Sequence, residues 1–135
     1  MTTLRQVAEA LEAKLETIPG LRSESHVPGT ASRFPFAFVT PPPIEYETLA
    51  LSALDALPFG IVVLVSETVP RNQLDLLDYQ DVTGTRSIPA LIQADRTLGL
   101  TGVDAFVLAS RPLGAEEIAG YQAFGIVFDV PVRIS

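Results

Sequence analysis

The sequence contains no cysteine, a single histidine at position 26 and a single lysine at position 14. Without cysteine there is no disulfide, no thiolate zinc site and no cysteine nucleophile. With His26 alone, a Ser-His-Asp triad has one possible base. The longest apolar run, Phe59-Gly60-Ile61-Val62-Val63-Leu64-Val65, is far shorter than the roughly 20 residues that span a bilayer. No basic segment followed by an apolar one opens the chain, so no signal peptide and no membrane partner are expected. Basic residues are scarce: 9 Lys+Arg stand against 16 Asp+Glu, a net charge of −7. They form no cluster, which disfavours direct binding of nucleic acid, because phosphate contacts need cations to replace the counterions. Phosphate-cradling loops are missing too. Gly99-Leu100-Thr101-Gly102 has neither the dinucleotide nor the P-loop spacing, so no cofactor is expected.

The composition that remains is that of a globular chain. Hydrophobic residues make up 47% of the 135 positions and charged residues 19%, enough apolar side chain for one core and too much for disorder. The length fits one domain, 1–135. Eleven prolines and nine glycines mark frequent chain reversals.

The apolar spacing predicts the elements. Leu4, Val7, Ala8, Leu11, Leu15 and Ile18 recur at three and four residues and draw one stripe on a helix. Thr3 and Gln6 read as its capping box, and Pro19-Gly20 as its stop. Residues 21–33 read as a loop or a short strand followed by a turn. Phe34 to Thr40 predicts a strand covered on both faces, ended by Pro41-Pro42-Pro43. Residues 44–56 fit a turn of helix or a hairpin arm, and are taken as an extended excursion. Leu57 to Ser66 predicts the central strand, with β-branched residues on both sides. Leu74, Leu77 and Tyr79 predict a helix after Pro70, and Ser87 caps a second helix carrying Ile88, Leu91 and Ile92. Val103 to Ser110 and Tyr121 to Ile134 predict two closing strands with a turn around Gly114 and Gly120. On the last strand Phe124, Ile126, Phe128, Val130, Val132 and Ile134 share one face, and Pro131 places its end at a sheet edge. The fold class is α+β: a mostly antiparallel sheet of four to five strands, with an N-terminal helix and two mid-chain helices packed on it.

Candidate chemistry is sparse. His26 lies among Ser23, Glu24 and Ser25 with no nucleophile motif beside it, and reads most simply as a loop histidine. Glu116 and Glu117 are adjacent, so on a strand they face opposite ways, and in a turn they read as a solvated tip. Asp75, Asp78 and Asp81 recur at threes but lack the glycine-bent loop of a cation site, and read as a wet helix face. Pro41-Pro42-Pro43 offers a polyproline bait or, more simply, a rigid strand terminator. Leu49, Leu51, Leu54, Leu57 and Phe59 are many apolar residues in a turn-rich segment, which reads equally as a partner surface or as simple core packing. No catalytic, cofactor or metal residue is assigned.

Four stretches in this order carry a resemblance. They are Leu4 to Leu11 leading into Ile18-Pro19-Gly20-Leu21-Arg22; His26-Val27-Pro28-Gly29 with the Phe/Val strand ending in Pro41-Pro42-Pro43-Ile44-Glu45-Tyr46; Phe59 to Ser66 with the helix after it; and Ser87-Ile88 to Ile92 with Ala94-Asp95-Arg96-Thr97-Leu98-Gly99. Together with the terminal strand they resemble the tail terminator proteins of long-tailed bacteriophages over nearly the whole chain. The chain departs from that family at Leu49-Ala50-Leu51-Ser52-Ala53-Leu54, where members often carry a more polar, Gly- or Arg-rich hairpin.

The resemblance implies a structural virion protein made in the host cytoplasm and placed at the head-tail junction. It implies a homo-hexameric ring that caps the tail tube, stops its growth and meets the head connector with its other face. A ring needs two different patches on each subunit. Tyr46, Leu49, Leu51, Leu54, Phe59, Leu74 and Tyr79 are the expected interface residues toward subunits or tube. Six copies at −7 each carry −42, and acidic residues facing the lumen let DNA pass without specific binding. The alternatives are another neck component such as a stopper or head-closure protein, a small enzyme using His26 or Glu116 and Glu117, and an adaptor using the triple proline.

Overall fold

The structure, a computed structural model, describes residues 2–24, 35–42, 57–66, 71–118 and 121–134. Among them the sequence's first stripe forms helix α1, Leu4–Glu16. Its capping box is complete: Thr3 Oγ1 accepts from the Gln6 amide at 3.2 Å and Gln6 Oε1 accepts from the Thr3 amide at 2.8 Å. Val7, Leu11 and Leu15 of the stripe are fully buried, each stabilising the fold by about 1.5–3 kcal/mol relative to exposure. Thr17 closes the helix by donating to the Lys14 carbonyl, and Gly20 then turns the chain with φ +79°, a conformation glycine adopts at no steric cost.

Five further pieces of chain pair around β3. The strands are β1 (Arg22–Glu24), β2 (Phe36–Thr40), β3 (Leu57–Ser66), β4 (Val103–Ala105), β5 (Ala109–Ile118) and β6 (Tyr121–Ile134). They form one sheet in the order β1-β2-β3-β6, with β4 and β5 following one another along the far edge of β6. β1 and β2 are parallel and the other pairings antiparallel. The fold is the expected α+β, with six strands among the described residues where four to five were expected. Helices α2 (Arg71–Gln80) and α3 (Ile88–Ala94) complete the layer begun by α1. Ser87 caps α3 as its sequence indicates, its Oγ accepting from the Ala90 amide at 3.1 Å.

The main core lies between helices and sheet. Ala37 and Val39 of β2, Ile61, Val63 and Val65 of β3, and Ile126, Phe128, Val130 and Val132 of β6 face Leu11, Leu15, Leu76, Ile88 and Ile92. The alternation expected on the last strand is therefore the packing observed. A second, smaller cluster lies on the other sheet face: Phe36, Phe38, Val62, Leu64 and Ala123, with Leu113 and Val127 against it. Both faces of β2 are covered, in line with its unbroken apolar sequence.

Three expectations are corrected around the closing strands. Val103 to Ser110 is not one strand, because the ladder along β6 breaks at 106–108. Ala105 pairs Val132 and Ala109 pairs Asp129, so this stretch holds one residue more than β6 does, a bulge. Proline explains the site. The Pro131 carbonyl accepts from the Phe106 amide at 3.3 Å, but Pro131 has no N–H to return. Nor does Pro131 lie at an edge. It is paired with Pro58 of β3, and its carbonyl turns the other way, so the missing donor is lost on one side only. Finally, β5 runs through Gly114 to Ile118, with a second irregularity between Pro112 and Gly114. Glu116 and Glu117 are strand residues and not a hairpin tip. Pro112 is tolerated because β5 is the outer strand there.

Candidate functional site

Helix α2 carries two apolar stripes on opposite sides. At 100° per residue, Leu76 and Tyr79 share one side, while Leu74, Leu77, Asp78 and Asp81 share the other. Leu76 and Tyr79 enter the core, whereas Leu74 and Leu77 are 65% and 58% exposed. Val82, just past the helix, is 75% exposed, and Leu108, at the bulge beside β6, is 66% exposed. A single exposed leucine is ordinary, but a paired i, i+3 set next to a further exposed valine is the pattern of a contact surface.

The expected interface residues divide into three groups. Leu74 is on this exposed side. Phe59 and Tyr79 are corrected: they are only 2% and 1% exposed, because Phe59 alternates onto the helix-covered face of β3 and Tyr79 follows Leu76 by three. Tyr46, Leu49, Leu51 and Leu54 lie outside the described residues, as does His26. Val82 and Leu108 were missed. Neither sits in a periodic run, so pattern reading has nothing to count there.

Charges of both signs meet at the C-terminal end of α2. Asp78 lies 4.0 Å from Arg86 across the turn that follows the helix. Asp81 Oδ1 accepts from the Val82 amide at 2.7 Å, and the Asp81 carbonyl accepts from the Ser87 hydroxyl. Asp78, Asp81, Thr83, Gly84, Thr85 and Arg86 line an open hollow of about 450 Å³. No group of three or more residues among those described is arranged to hold a metal ion. Burial pushes the Tyr79 hydroxyl pKa up; Arg86 opposes the shift, and Asp75 and Asp78 add to it.

A second groove adjoins the first and is apolar. It also encloses about 450 Å³ and is lined by Val82, Pro89, Ala90, Gln93, Ala94 and Val107. None of these side chains is charged. Apolar contacts of this kind gain from excluding water.

The far ends of the helix layer are tied by ion pairs. Lys14 of α1 reaches Asp95 after α3 at 2.9 Å. Arg96 donates through Nη2 to Asp104 Oδ2 at 2.9 Å and lies over the Phe106 ring at 5.4 Å. Its Nε is 2.9 Å from Asp104 Oδ1 but out of line for a hydrogen bond. This link fastens the turn after α3 to the edge of β4.

No family model and no curated protein matches the chain. No helix among the described residues is long and apolar enough to cross a membrane.

Proposed function

We propose that this chain is a ring-forming structural protein of a long-tailed bacteriophage, a tail terminator that caps the tail tube and joins it to the head connector. The observation that carries this reading is the outward side of α2, where Leu74 and Leu77 stand in water beside Asp78 and Asp81. A helix that contributes Leu76 and Tyr79 to the core and leaves two further leucines outside is suited to a second packing partner. The order of helix, sheet strands, two helices and closing strands also fits the resemblance in the sequence. In this reading the protein acts by shape and surface charge in the virion, and DNA passes an acidic lumen.

The test is native mass spectrometry of the purified chain over a range of concentrations, alone and with tail-tube protein. A hexamer, alone or on tube ends, supports the reading. A dimer or tetramer that persists at all concentrations and ignores the tube protein overturns it.

A further inference from the structure

We draw no further inference here: the strongest candidate, the open apolar groove beside α3 lined by Val82, Pro89, Ala90, Gln93, Ala94 and Val107, carries none because nothing in the structure shows what covers it.

Discussion

Lys14 Nζ lies 2.9 Å from Asp95 Oδ2, so the last turn of α1 is joined to the residue that ends α3. The hydrogen bond from Lys14, helped by that from Thr97, holds the Asp95 carboxyl below its ordinary value of 3.8. The unfolded chain therefore binds the proton more readily than the folded one. The resulting stabilisation is present above the ordinary carboxylate range and is lost as pH falls through the folded value. Asp95→Asn is expected to flatten that acid limb in urea midpoints measured between pH 2 and 6. An unchanged limb removes Asp95 as its source.

Tyr79 behaves in the opposite sense. Burial raises its pKa above the ordinary 10.0, so the folded chain keeps the phenol proton after the unfolded chain has lost it. Stability is intact below about pH 10 and declines as pH rises toward the folded value. Tyr79→Phe keeps the ring in the core and is expected to delay alkaline unfolding, read by circular dichroism from pH 8 to 12.

Gly125 has no room for a side chain. An added Cβ meets Leu64 Cδ2 at 2.7 Å, the Val63 carbonyl oxygen at 3.0 Å and Leu113 Cδ2 at 3.1 Å. Two of these are flexible side-chain ends, but the carbonyl belongs to the central strand and cannot move alone. Gly125→Ala is expected to destabilise the fold by about 1–3 kcal/mol in chemical denaturation. A neutral result means that the second cluster repacks freely.

Ser87 serves two partners at once. Its hydroxyl accepts from the Ala90 amide and donates to the Asp81 carbonyl, and the residue is buried. Ser87→Ala removes the cap of α3 and leaves both backbone groups short of a partner. A loss of about 1–2 kcal/mol is expected. Ser87→Thr, which retains the hydroxyl, is expected to recover part of it.

Much of this molecule is determined by local spacing. The capping box at Thr3 and Gln6, the stripe of α1, the Ser87 cap and the alternation from Phe124 to Ile134 depend on neighbours within a few residues, and all are legible in the sequence. The central position of β3 also follows from its apolar character on both sides. Among the described residues, Leu74 is the one candidate interface residue that the structure leaves exposed.

What the tertiary structure alone decided concerns partners distant in the chain. Pro131 reads as an edge signal because proline lacks a donor, yet its strand is central. The missing N–H instead breaks the ladder opposite it and separates β4 from β5. Phe59 and Tyr79 read as surface candidates because their segments are rich in apolar residues, and which of those residues are buried depends on the helix and sheet that meet them. The same holds for the ion pairs of Arg111 with Asp129 and of Arg96 with Asp104, which only the pairing of β4, β5 and β6 brings within reach. Sequence spacing sets which side of an element is apolar; packing sets which apolar side meets water.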